Sequence, residues 1–178
     1  LCHGADAALV SVGDPIDANF FEELPDSVKI VATFSVGTDH IDLAAAKKKG
    51  VIIGNTPGVL TDATADIAWL LILGAARRAS EGEAEVRNST WSRWRPTHLM
   101  GTEVTGKKLG IVGMGRIGQA VAKRARGFDM EIHYYNRRQL PADQEFGAIY
   151  HNSIDALLPQ CDFLSLHCPS TPETRGMV

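Results

Sequence analysis

The stretch Leu109–Ala122, L-G-I-V-G-M-G-R-I-G-Q-A-V-A, decides how the rest of this chain is read. Leu109–Val112 is a short apolar run of strand type, and Arg116–Arg126 has the pattern of a helix. Between them Gly113, Gly115 and Gly118 form G-x-G-x-x-G. The first glycine permits a tight turn, the second lets the backbone approach a pyrophosphate, and the third lets helix and strand pack closely. The helix start then offers free N–H groups and the positive end of its dipole to phosphates. Three glycines alone are a weak signal. Their place between a strand and a helix is what marks a dinucleotide loop. Gly113, Gly115, Arg116, Ile117 and Gly118 are therefore candidate cofactor contacts.

The next strand, Glu131–Tyr135, runs into Asn136, Arg137 and Arg138. An NAD enzyme usually carries Asp or Glu at this point, about 20 residues past the loop, to bind the ribose 2′-hydroxyl. An acid would repel a 2′-phosphate. Asn tolerates it, and a neighbouring guanidinium can clamp it through paired hydrogen bonds. The turn predicts a preference for NADP, with NAD possible and Arg137 the first choice for the phosphate.

Outward from this centre, apolar runs alternate with helical stretches, the pattern of a parallel α/β sheet. Strands are predicted at 8–12, 29–34, 51–53, 109–112, 131–135 and 163–166. Helices are predicted at 17–24, 43–49, 116–126 and 154–158. A single long helix is predicted from about Asp62 to Val86, with Thr61 as its N-cap. Trp69–Leu73 in that helix is apolar on nearly all sides, which predicts burial at a domain junction or interface. Residues 88–108 have no period and read as an arm. Only three strand signals follow Lys108, and no internal repeat is found.

Composition narrows the functions. The 178 residues carry 18 Lys and Arg against 21 Asp and Glu, a formal charge of −3, which excludes a nucleic-acid binder working through bulk charge. The longest apolar run, Ile67–Ala76, falls well short of the roughly 18 residues that cross a bilayer. No basic and apolar leader precedes the first strand, and three cysteines without a C-x-x-C pair fit neither a disulfide framework nor a zinc site. A reducing cytoplasm is the expectation. The chain starts at Leu1 rather than Met and stops shortly after a strand, so it reads as part of a longer one.

Five stretches together resemble one family: F-S-V-G-T-D-H-I-D-L (34–43), N-T-P-G-V-L-T-D-A-T-A-D (55–66), W-S-R-W-R-P (91–96), the loop at 109–122, and H-C-P-S-T-P-E-T (167–174). The chain is similar to the D-isomer-specific 2-hydroxyacid dehydrogenases, and most to the glyoxylate/hydroxypyruvate reductase branch. The resemblance implies an α/β fold of two Rossmann-like parallel-sheet domains, flavodoxin-like for substrate and NAD(P)-binding for coenzyme, both incomplete here. Residues 1–57 would belong to the substrate domain. Residues 58–178 would supply the hinge helix, the arm and the first half of the NAD(P)-binding domain.

The resemblance also implies roles. The backbone amides at Val36 and Gly37 would hold the carboxylate of a small 2-oxo acid. Thr64 would face the nicotinamide, and Cys168, Pro169 and Thr174 would border the cofactor. Trp91 or Trp94 would near a partner's cleft in a homodimer. His40 is a tempting base but is not the family's proton donor. The family's Arg, acid and His are expected beyond Val178, so no catalytic residue is assigned within this segment. Two alternatives stay open: a dinucleotide-sensing binding protein on the same scaffold, and an NAD-dependent relative such as a phosphoglycerate dehydrogenase.

Overall fold

Two parallel sheets organise the chain in a computed structural model that describes residues 2–178. They lie in two separate units. One comprises the chain up to Leu60 together with Pro169–Val178, and the other is Thr61–Cys168.

The first unit holds β1 (Ala7–Val10), β2 (Ile30–Thr33) and β3 (Ile52–Gly54), in that order and all parallel. Two short helices connect them, α1 (Ala18–Glu23) and α2 (Leu43–Lys49). Asp17 and Asp42 cap these helices by accepting the N–H groups of Phe20 and Ala45. Each cap satisfies a donor that the first helical turn leaves orphaned. Gly50 closes α2 at φ 75°, a left-handed conformation that glycine adopts without strain. Ile16, Phe21, Leu24, Val28, Val31 and Ile41 form this unit's core.

The second unit begins with α3 (Thr61–Ala76) and α4 (Ala79–Arg87). Its sheet is built from β4 (Lys108–Val112), β5 (Glu131–Tyr135), β6 (Ile149–His151) and β7 (Phe163–Leu166), in the order β6-β5-β4-β7 and all parallel. The helix α5 (Arg116–Ala125) follows β4, and the single-turn helices α6 (Ala142–Glu145) and α7 (Ile154–Leu157) flank β6. Helix α3 packs on α5. The Trp69 indole stacks on Phe128 at 4.6 Å and donates its Nε1–H to the Val121 carbonyl at 3.1 Å. Arg124 on α5 reaches back to Asp62 and Asp66 at 3.1 and 2.9 Å. Leu109, Ile111, Met114, Val121 and Tyr134 are fully buried between sheet and helices.

Three expectations are corrected. The long helix over 62–86 is broken: Arg78 takes a left-handed φ of 54°, separating α3 from α4. The break exposes the Ala76 carbonyl to the returning arm, where it accepts the Thr102 N–H at 2.8 Å. Gly101 fits against that carbonyl because it has no side chain; a Cβ there would lie 2.3 Å from the oxygen. Thr61 itself is the first helical residue rather than the residue before the helix. The second sheet has four strands, not three signals. Strand β6 is only three residues long, too short for a period to register, and its pairing with β5 holds it in place. Within this unit α3 turns one face to the core. Trp69 and Ile72 are inside, while Leu70 and Leu71 are 64% and 65% exposed. No helix among the described residues is long and apolar enough to cross a membrane.

Candidate functional site

The glycine loop has the geometry its spacing requires. Gly113 ends β4 at φ 95°, and a Cβ on it would lie 2.6 Å from the Cys168 nitrogen. The loop is thus pressed against the end of β7. A Cβ on Gly118 would meet the Gly113 carbonyl oxygen at 2.4 Å, so this glycine sets how closely α5 sits on its own loop. Gly115 differs: nothing lies within 4 Å of where its Cβ would be. The surface above Gly115 is open, the condition for close approach of a phosphate. Gly113 donates its N–H to the Tyr135 carbonyl, whereas the N–H groups of Gly115, Arg116 and Ile117 donate to no acceptor among the described residues. Three free donors at the start of a ten-residue helix make an anion cradle.

The turn Asn136–Arg138 is coupled to this loop. The Asn136 Oδ1 accepts the Met114 N–H at 2.7 Å, which turns the amide's Nδ2 donor to its other side. Arg137 and Arg138 are exposed, and neither is in an ion pair among the described residues. Below the turn, the buried Tyr134 hydroxyl donates to Glu145 Oε1 at 2.6 Å and accepts the Leu140 N–H at 3.0 Å. Burial, with Glu145 beside it, pushes the Tyr134 phenol up to about 12. The bond from Tyr134 holds the Glu145 carboxyl below its ordinary value. Reading the sequence missed this support. Tyr134 stands in an apolar strand, and nothing in the spacing shows that its hydroxyl meets Leu140 and Glu145.

Thr64 on α3 and His167 after β7 line one hollow of the second unit, together with Leu71 and Phe163. His167 donates its backbone N–H to the Val112 carbonyl at 2.7 Å, and its ring lies 2.8 Å from the Ser165 hydroxyl. Burial pushes its imidazole pKa down. Cys168 stands at the close contact with Gly113. Pro169 and Thr174 fall in the first unit. The Thr174 hydroxyl donates to the Pro169 carbonyl at 2.7 Å and accepts the Thr171 N–H at 2.8 Å, so its oxygen is used in tying its own turn.

The candidate carboxylate residues lie in a hollow of the first unit. Val36 and Gly37 line it with Val12, Phe34, His40 and Leu60. The Val36 carbonyl is held by the Asn55 side chain at 2.8 Å, and the Gly37 carbonyl by the Ser35 hydroxyl at 2.7 Å. With both carbonyls fixed from behind, the Val36 and Gly37 N–H groups donate to no acceptor among the described residues. His40 is tied into the wall: its Nε2 lies 3.0 Å from the buried Thr33 hydroxyl, which lies 2.8 Å from Ser35. No group of three or more His, Cys, Asp and Glu among the described residues is arranged to hold a metal.

Comparison with known proteins gives one consistent answer. Residues 69–178 match the family described as D-isomer specific 2-hydroxyacid dehydrogenase, NAD binding domain. The chain is 48% identical to a glyoxylate reductase of Thermococcus litoralis, over 97% of this chain and 53% of that protein. It is 46% identical to a glycerate dehydrogenase of Hyphomicrobium methylovorum, over 96% of this chain and 53% of that one. Its structure matches the crystal structure of a glyoxylate reductase from Paecilomyes thermophila with a TM-score of 0.89 at 38% identity, covering 98% of this chain and 53% of that one. The chain spans about half the length of the curated relatives it matches. The glycine loop, the parallel sheet and these likenesses agree: the chain belongs to the D-isomer specific 2-hydroxyacid dehydrogenase family, and its second sheet is part of a nicotinamide-dinucleotide-binding domain.

Proposed function

We propose that the protein containing this chain is an NADP-preferring reductase. It passes a hydride to the carbonyl carbon of a small 2-oxo acid of glyoxylate or hydroxypyruvate type, giving the D-2-hydroxy acid. The observation that carries the coenzyme preference is the turn Asn136–Arg138. A neutral amide is fixed by Met114 where an acid would exclude a 2′-phosphate, and two exposed guanidinium groups follow it. The names of the relatives support the substrate class.

In this reading residues 1–57 form part of the substrate domain, and 58–178 the hinge helix, arm and first half of the coenzyme domain. Gly113, Gly115, Arg116, Ile117 and Gly118 hold the pyrophosphate, and Asn136, Arg137 and Arg138 hold the 2′-phosphate. Thr64, Thr174 and the backbone at Cys168 and Pro169 border the rest of the cofactor. The dinucleotide supplies the hydride. The free N–H groups of Val36 and Gly37 take the substrate carboxylate, which orients the carbonyl for transfer. The proton donor lies outside residues 1–178. Exposed Trp91 and Trp94 support an arm that meets a second copy in a homodimer.

The test is steady-state turnover of the full-length protein on glyoxylate and hydroxypyruvate with each coenzyme. A kcat/KM at least about tenfold higher with NADPH than with NADH is expected from one charge-assisted contact to the 2′-phosphate. Equal or reversed values overturn the NADP assignment. Tight dinucleotide binding without turnover of either acid overturns the reductase in favour of a sensing protein.

A further inference from the structure

We propose that Tyr134 is a positioning residue for coenzyme selection: from inside the core it holds the turn that presents Asn136, Arg137 and Arg138. This rests on the reading of that turn as the 2′-phosphate site.

The turn is fixed at both ends and unsupported in the middle. At its start Asn136 is held twice, by the Met114 N–H on its side chain and by the Tyr150 hydroxyl on its carbonyl at 3.4 Å. At its end the Tyr134 hydroxyl accepts the Leu140 N–H. Glu145 Oε1 accepts both the Tyr134 O–H and the Gln139 Nε2–H, at 2.6 and 2.9 Å. Beyond Glu145, the Phe146 carbonyl is held by Arg126 of the turn after α5 at 2.9 Å. Arg137 and Arg138 stand between the two clamps.

Long cationic side chains lose rotamer freedom when they close on a phosphate. If the backbone beneath them also had to be ordered, the cost would add to this and affinity would fall. A turn already fixed by Tyr134 and Glu145 removes that backbone share. The Tyr134 ring is fully buried, so its effect reaches the phosphate only through the turn. Its hydroxyl both donates and accepts. Removing it leaves the Leu140 N–H without its acceptor and takes one of the two donors from Glu145 Oε1 at once.

The experiment is calorimetric binding of 2′,5′-ADP and of ADP to the full-length protein and to Tyr134→Phe, Glu145→Ala and Glu145→Gln. Tyr134→Phe and Glu145→Ala are each expected to weaken 2′,5′-ADP about fivefold, as only part of the hydrogen-bond energy lost in the turn is passed to the phosphate contact, and to leave ADP within about twofold. Glu145→Gln keeps an oxygen for the tyrosine proton and should retain the unsubstituted ratio. Should Tyr134→Phe fold poorly, Glu145→Ala carries the same test from the half-buried end of the bond. An unchanged 2′,5′-ADP to ADP ratio in both variants overturns the proposal, as does an equal loss for both ligands, which is what general core damage would give. A lack of preference for 2′,5′-ADP in the unsubstituted protein is a different failure. It sinks the NADP reading itself, and this proposal with it.

Discussion

Asn136 and Met114 are joined side chain to backbone across 2.7 Å, so the residue proposed to meet the ribose end of a dinucleotide also braces the glycine loop proposed to meet its phosphates. Aspartate at 136 could keep that bond, since a carboxylate oxygen accepts an N–H as an amide oxygen does. It would lose the Nδ2 donor and place a negative charge against a 2′-phosphate. Asn136→Asp is therefore expected to preserve the fold while lowering the NADPH to NADH ratio of kcat/KM by about tenfold or more, the effect of one charged contact reversed. The ratio measured with hydroxypyruvate decides it; an unchanged ratio would show that the 136–138 turn does not choose the coenzyme.

Two glycines of one motif should fail in different ways. Gly118→Ala drives a methyl group to 2.4 Å from the Gly113 oxygen, with Ile111 at 3.2 Å behind it. Backbone must move, so a loss of roughly 1–3 kcal/mol in unfolding free energy is expected. Gly115→Ala meets nothing within 4 Å and needs no special φ, so it should unfold like the unsubstituted chain. Its methyl occupies the space a pyrophosphate would use. Urea midpoints and dinucleotide titrations separate the two: lowered stability for Gly118→Ala, lowered binding alone for Gly115→Ala. Equal stability of both variants would contradict the close contact at Gly118.

How much of this was legible follows from where the information lies. The glycine loop was, because strand, turn and helix each leave a local pattern and the three agree. Strand β6 was not, because Ile149–His151 is held by pairing with β5 and not by its own period. The Arg78 break was not, because the groups that meet the freed helix end, Gly101 and Thr102, lie far along the chain. At the candidate site, spacing singled out Asn136 and both arginines. The hydrogen bonds around that turn involve Met114, Tyr134 and Glu145, and a hydrogen bond between side chain and distant backbone leaves no periodic trace.

Trp69 ties α3 to α5 through a stacked ring and one buried hydrogen bond. Trp69→Leu removes the stack on Phe128 and leaves the Val121 carbonyl without its donor. A cost of about 2–4 kcal/mol is expected from the cavity and the lost partner together. Val86→Ala on α4 is the control: that side chain is 67% exposed, and its loss should stay within about 0.5 kcal/mol. Denaturant unfolding followed by far-ultraviolet dichroism measures both, and comparable losses would mean that α3 is not held to α5 by this indole.

Stability should fall on mild acidification, and two histidines give the window. Burial, and then the neighbouring His133, push the His151 pKa below its ordinary 6.5; burial alone does the same to His167. The unfolded chain then takes up protons first as pH drops. The stability these groups contribute is whole above about 6.5 and is lost below it. Beside His151 stands a short polar row: His133 Nδ1 lies 2.9 Å from His151 Nε2, and Glu131 accepts from His133 Nε2 at 2.6 Å. Lys108, 3.6 Å from Glu131, completes the row. Glu131 itself is held below its ordinary 4.5, chiefly by the His133 bond, so its contribution disappears only at lower pH. Urea midpoints at pH 7.5 and 5.5 therefore report the histidines, one above 6.5, where their contribution is whole, and one below it. The midpoint should be lower at pH 5.5, and His151→Gln or His167→Gln should reduce the difference. A midpoint that rises on acidification would mean that these rings are charged in the folded protein, against the burial that surrounds them.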